Sequence, residues 1–136
     1  MILTKYIFKT IKSTLTSLGY RNFLYLAPQG GATYPLVTYM PINLSTQLSF
    51  NATGIVLDDV TIRFSVYGNQ EQEDCEEVMD ILAAIEGAFE FKTFTDGTYT
   101  IICGHRTNEN GPTYLNKEHY WIGTVDITFM SQRQKV

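Results

Sequence analysis

The residues with chemistry to offer are few and scattered. His105 and His119 are the only histidines, and neither sits in an HExxH or a Cys/His metal spacing. They could meet across an antiparallel ladder, with Cys103 or Asp126 nearby. A Cys–His nucleophile, however, needs an exposed, low-pKa thiol beside the imidazole, and nothing in the pattern supplies one. Structural roles are the expected reading for both histidines. Cys75 and Cys103 fall in a predicted helix and a predicted strand without a CxxC neighbour, and read as free thiols. Asp58–Asp59 could contribute to a hard-cation site, but adjacent carboxylates before a strand are more simply turn chemistry. Gly30–Gly31 lacks the downstream Lys-Ser/Thr of a phosphate loop, and no GxGxxG or GxSxG occurs. The expectation is a protein that performs no covalent chemistry and needs no cofactor or metal.

Charge is more informative than any of these residues. Residues 1–57 hold four basic side chains and no acid, while residues 58–136 hold all 14 acids against six Lys or Arg. The basic side is concentrated in Lys5, Lys9 and Lys12, spaced to share one helix face. The acidic side is concentrated between Glu71 and Glu90, which includes Glu73, Glu76, Glu77 and Asp80 and no Lys or Arg. Like charges at i,i+4, such as Glu73–Glu77 and Glu76–Asp80, cost a few tenths of a kcal/mol each. A positively charged partner surface relieves that cost. The lysine stripe is too small for nucleic-acid recognition, and the chain as a whole is acidic, at −4.

The elements that position these groups follow from periodicity. Leu3, Ile7, Ile11, Leu15 and Leu18 predict a helix over 3–18, stopped by Gly19. A short strand is predicted from Asn22 to Ala27. A second, over 36–46, carries a defect at Pro41 that argues for an edge or a bulge. Alternation of Val60, Ile62, Phe64 and Val66 with Thr61, Arg63, Ser65 and Tyr67 makes 58–67 the clearest strand. A second helix starts near Asn69 as N-cap, with Cys75, Val78, Leu82, Ile85 and Phe89 as its buried stripe. Strands over 98–106 and 119–130 complete the chain. Residues 47–56 and 107–118 read as long connections, and long connections in a compact domain are usually functional or disordered. The prediction is one α+β domain over 1–136. Its mostly antiparallel sheet has about five strands and two helices on one face, in the order helix-strand-strand-strand-helix-strand-strand. No apolar run approaches the ~20 residues that span a bilayer, so no membrane association is expected. At 18% charged residues against the usual roughly 25%, the chain has less purely polar surface than most, a weak sign of surface buried against partners.

Three segments in this order, APQGGATYPLVTYMPI, VTIRFSVYGNQEQEDCEEVMDILAAIEGAF and EHYWIGTVDITFM, resemble the tail terminator, or tail-completion, family of long-tailed bacteriophages. In that family an N-terminal helix precedes a loop and a strand of the YP-L-V-Y type. A strand ending in a VYG-like sequence then leads into an acidic helix, and a final strand closes the domain. The segments cover most of the chain, and their joint order is more specific than any one of them.

The resemblance implies a virion structural protein, assembled in the host cytoplasm and placed at the head-proximal end of the tail. It would form a ring, commonly a hexamer, that caps the tail tube, ends tube polymerisation and offers a surface for head-tail joining. The implied partners are further copies of itself, the tail tube protein and the head-tail connector or neck protein, with genomic DNA passing through unrecognised. The alternatives are another phage neck or head-completion protein and, further off, a small enzyme or ligand-binding domain. A closed ring needs two different, complementary patches on each subunit. Lys5, Lys9 and Lys12 facing Glu73, Glu76, Glu77 or Asp80 of a neighbour would provide them. The same groups could instead pair within one subunit, the nearer expectation, because both helices need the same sheet face. Leu48, Phe50 and Asn51 in one predicted connection, and Asn108, Asn110 and Tyr114 in the other, are the candidates for contact with tube or connector.

Overall fold

Helix α1 (Ile2–Ser17) forms where the apolar spacing predicts it. Ile7, Ile11 and Leu15 are its buried stripe. It ends in a Schellman motif: Gly19, at φ +86, donates to the Thr16 carbonyl and Tyr20 donates to that of Leu15. Leu18 is 43% exposed, outside the stripe the spacing assigns it to, because it stands at the C-cap, past the last full turn. The computed structural model describes residues 2–25, 35–48, 55–68, 75–96, 99–115 and 120–134.

The strands are β1 (Asn22–Leu24), β2 (Leu36–Leu48), β3 (Ile55–Gly68), β4 (Phe94–Asp96), β5 (Tyr99–Leu115) and β6 (Tyr120–Gln134). They form one sheet in the order β1-β2-β3-β6-β5-β4. All pairs are antiparallel except β1–β2, which is parallel. The architecture is α+β, as expected. The sheet has six strands rather than about five, because three-residue β4, too short to carry a period, pairs with the start of β5. Pro41 sits where the β2–β3 register shifts, between Pro41 and Asn43. This is beyond the reach of β1, which covers only Val37–Tyr39, so the missing N–H lies on an edge, as its chemistry requires.

Three readings of the chain need correction. First, residues 107–115 are strand, not loop: β5 continues to Leu115 against β6. The register shifts three times, between Ile101/Cys103, Arg106/Asn108 and Asn110/Thr113. The last two shifts take in Thr107 and then Gly111 and Pro112, while Asn108 and Asn110 keep partners in β6. Second, β2 reaches Leu48 and β3 starts at Ile55, so the predicted 47–56 connection is partly strand. Third, helix α2 (Glu76–Phe89) begins later than Asn69. Cys75 is its N-cap, at φ −94 and ψ 15, and is half-buried rather than part of the core stripe. Asn69 itself lies outside the described residues.

Both helices pack on one face of the sheet. α1 lies against β1, with Phe8 5.9 Å from the Tyr39 ring, while α2 lies across β3, β6 and β5. Between them Val37, Tyr39, Val60, Ile62, Phe64, Val66, Val125, Ile127 and Phe129 form one continuous core. Phe89 anchors α2, stacked on Phe64 at 5.3 Å and edge-on to Phe129 at 5.7 Å. Glycine lets α2 approach this closely: a Cβ on Gly123 would lie 2.8 Å from Leu82 Cδ1, and one on Gly104 only 2.7 Å from the Phe89 carbonyl oxygen.

The opposite face is mixed, with Leu36, Met40, Tyr67 and Ile122 on it beside polar residues. Arg63 donates to both carboxylate oxygens of Asp126, at 2.9 and 3.1 Å, across the β3–β6 ladder. Beside it Thr61 and Thr128 share a hydrogen bond of 2.8 Å. Asp126 is nearly fully buried while the Arg63 side chain is 40% exposed. The pair therefore spares a buried carboxylate an unpaired charge, and its guanidinium keeps part of its hydration.

Candidate assembly surfaces

The flank of α1 that carries Lys9 and Lys12 faces β1. Together with Phe8, Asn22, Phe23, Leu24 and Tyr39 these lysines line an open groove of ≈ 460 Å³. Its floor is aromatic and aliphatic, its rim cationic. Both lysines are exposed, and among the described residues neither enters an ion pair. Asn22 holds the entrance in shape by donating to Thr16 Oγ1 at 3.2 Å and to the Tyr20 carbonyl at 3.0 Å. Burial pushes the Tyr39 phenol above its ordinary pKa, so it stays a neutral floor group. Lys5 belongs to α1, but its side chain lies outside the described set.

The acidic surface lies at the other end of the helical layer. Glu76 and Asp80 are exposed on α2, Glu77 is half-buried, and Glu73 lies outside the described residues. Met79, between Glu76 and Asp80, is 53% exposed. Glu86, seven residues after Met79 and so two turns along the same flank, is held by Arg106 of β5 at 3.3 Å, which turns the Met79 flank toward β5. Arg106 also pairs with Glu109 at 2.9 Å, and its backbone N–H donates to Glu90 at 3.0 Å. No ion pair joins Lys9 or Lys12 to Glu76, Glu77 or Asp80. The expected pairing within one subunit is thus not made by these side chains, while Glu73 and the Lys5 side chain lie outside the description.

The Glu86 carboxyl sits above its ordinary pKa, first through burial and then through the hydrogen bond and charge of Glu109, with Arg106 pulling the other way. A raised carboxyl pKa means the fold holds that proton more tightly than the unfolded chain does. Its contribution to stability is complete below the unfolded pKa and is lost as pH rises through the folded one. Glu109→Gln is expected to move Glu86 back toward the ordinary carboxylate value and to flatten this part of the stability profile. Carboxyl-carbon NMR titration checks it; an unmoved Glu86 would mean that Glu109 plays no part.

The six contact candidates fare differently. Asn108 and Asn110 are exposed but stand in β5, opposite Asp126 and Thr124, and Asn110 donates to Thr124 Oγ1 at 3.3 Å. Tyr114, also in β5, packs half-buried 5.2 Å from the Trp121 ring, so it is not a free loop side chain. Leu48 ends β2 opposite Val56; Phe50 and Asn51 lie outside the described residues. His105 is exposed opposite Thr128 in β5, while His119 falls outside the description. Asp58 lies in strand β3 rather than a turn, 3% exposed and opposite Ser131. Among the described residues no three His, Cys, Asp or Glu gather as a metal site, and no helix is long and apolar enough to cross a membrane.

Sequence reasoning missed Arg106 and Phe91. The Arg106 cluster depends on register, which bulges obscure. Phe91 follows α2 at φ 58, a left-handed position where glycine or asparagine is usual, and is 75% exposed. Its N–H donates to the Gly104 carbonyl at 2.7 Å, which holds it there. No protein-family model and no curated protein matches this chain.

Proposed function

We propose that this chain is a ring-forming virion structural subunit of the tail-terminator kind that its sequence resembles. One observation supports the reading above the others. A cationic groove and an acidic helix flank sit at opposite ends of one helical layer, and their described charges are not joined to each other. Unlike, complementary patches on one subunit are what a heterologous contact needs, and repetition of such a contact with rotation closes a ring.

The function asks for no bond-making chemistry. A ring bound to the last ring of tail-tube subunits occupies the site the next tube ring would use, so growth stops by mass action. Its other side then offers the head-tail connector a surface. DNA passes through a ring of acidic subunits without specific contacts.

Native mass spectrometry of the purified protein, alone and with polymerising tail tube protein, tests this. A six-subunit ring, and tubes that stop growing when it is added, are the expected results. A subunit that stays monomeric at every salt concentration and leaves tube growth unchanged rejects the reading.

A further inference from the structure

We infer that the groove between α1 and β1–β2 is the socket for helix α2 of the next copy, with Met79 as the side chain that enters it. The inference rests on the ring reading and names the contact that would build the ring.

The groove calls for an occupant with two properties. Its floor of Phe8, Phe23, Leu24 and Tyr39 calls for an apolar side chain, and Lys9 and Lys12 at its rim call for carboxylates on either side. α2 presents that combination. Met79 stands 53% exposed in a helix face whose neighbours are the exposed Glu76 and Asp80. Val78, Ile81 and Leu82 around it are buried in the core, and the next exposed positions after it are Asp80 and Ala83, so nothing bulky and exposed crowds it on its C-terminal side. Methionine suits such a role, because its unbranched, polarisable side chain adapts to irregular apolar sites and packs well on aromatic rings.

Phe91 is the competing anchor, being more exposed. Its flanking charge disfavours it. Lys92, which follows it directly, would meet the lysine rim of the groove. Charge complementarity therefore selects the Met79 face. The two surfaces also lie at opposite ends of the layer, one toward β1 and the other toward β5, so the same subunit can offer its groove to one neighbour and its helix to the other.

The experiment exploits the head-to-tail geometry. Lys9→Glu with Lys12→Glu reverses the groove; Glu76→Lys with Asp80→Lys reverses the helix. Each double variant alone should fail to assemble, because every contact sets like charges together. Mixed in equal amounts they should form rings of equal composition, since each boundary then joins opposite charges. Native mass spectrometry reads the composition directly, and recovery on mixing shows that both variants are folded. In the wild-type ring, carbodiimide should link Lys9 or Lys12 of one copy to Glu76 or Asp80 of another, with isotope-mixed subunits distinguishing links between copies. Met79→Ala should weaken assembly roughly ten-fold, and Phe91→Ala should leave it unchanged. A wild-type ring whose charge variants still assemble alone, do not recover on mixing, or respond to Phe91→Ala instead of Met79→Ala overturns this contact while leaving the ring reading intact. A wild-type protein that never assembles removes both.

Discussion

Phe89→Ala is expected to destabilise the fold by about 3–5 kcal/mol, the range for emptying a fully buried phenylalanine site. Phe89 is 0% exposed and touches the Phe64, Phe94 and Phe129 rings at 5.3, 5.9 and 5.7 Å. Its removal leaves a cavity where helix, β3 and β6 meet, and stacked sheet side chains cannot collapse into it without moving the ladder. Thermal unfolding should fall by on the order of 10 °C. The comparison with Met79→Ala is instructive. That site is half-exposed, so its expected effect on stability is within about 0.5 kcal/mol although its expected effect on assembly is large. A loss below about 1 kcal/mol at Phe89 would mean that α2 is not anchored where the aromatic contacts place it.

Gly104→Ala is the second large effect. The added Cβ would lie 2.7 Å from the Phe89 carbonyl oxygen and 3.0 Å from Ile127 Cγ2. The oxygen is backbone, fixed at the end of α2. The chain beyond it is tied to β5 by the Phe91 N–H donating to the Gly104 carbonyl at 2.7 Å. Relief requires the helix end and the strand to part, so the cost belongs at the upper end of the about 1–3 kcal/mol that overpacking brings. Gly123→Ala should cost less, because the atoms in its way, Leu82 Cδ1 at 2.8 Å and Val78 Cγ1 at 3.0 Å, are ends of side chains that can turn. Urea unfolding of the two variants should rank them in that order. Equal losses would show that the helix end can shift as freely as a leucine rotamer. Because Gly104 seats α2, its alanine variant should also weaken assembly, even with every charged residue in place.

Much of this architecture is legible in the residues alone, for a local reason. Periods of 3.6 and 2 are properties of neighbours in sequence, so α1, β3 and the core of α2 can be read from Ile7, Ile11 and Leu15, from Val60 to Val66, and from Val78, Leu82 and Ile85. Pro41 announces a ladder defect because its missing N–H is a covalent fact. Gly19 announces a helix stop because few other residues tolerate its φ. The readings that went wrong are those in which long-range pairing overrode local chemistry. Asn108, Asn110, Gly111 and Pro112 all argue for a loop, yet pairing with β6 over the length of the hairpin carries them into β5 by way of bulges. Cys75 fits the period of α2 but falls one residue outside it.

The candidate surfaces divide in the same way. The basic and acidic segments are plain from counting, because charge is a property of composition. Whether they face each other is not, because that depends on where each helix lands on the sheet. Only the tertiary structure decided that Lys9 and Lys12 turn toward β1 and rim an apolar groove, that Glu86 is held on the far side by Arg106, and that Met79 stands exposed between carboxylates. The sequence by itself determined both helices and the cores of five of the strands, their apolar faces and which segments carry charge of each sign. Register, bulges and the seating of each helix decided which of those charges meet, because they depend on packing between residues far apart in the chain.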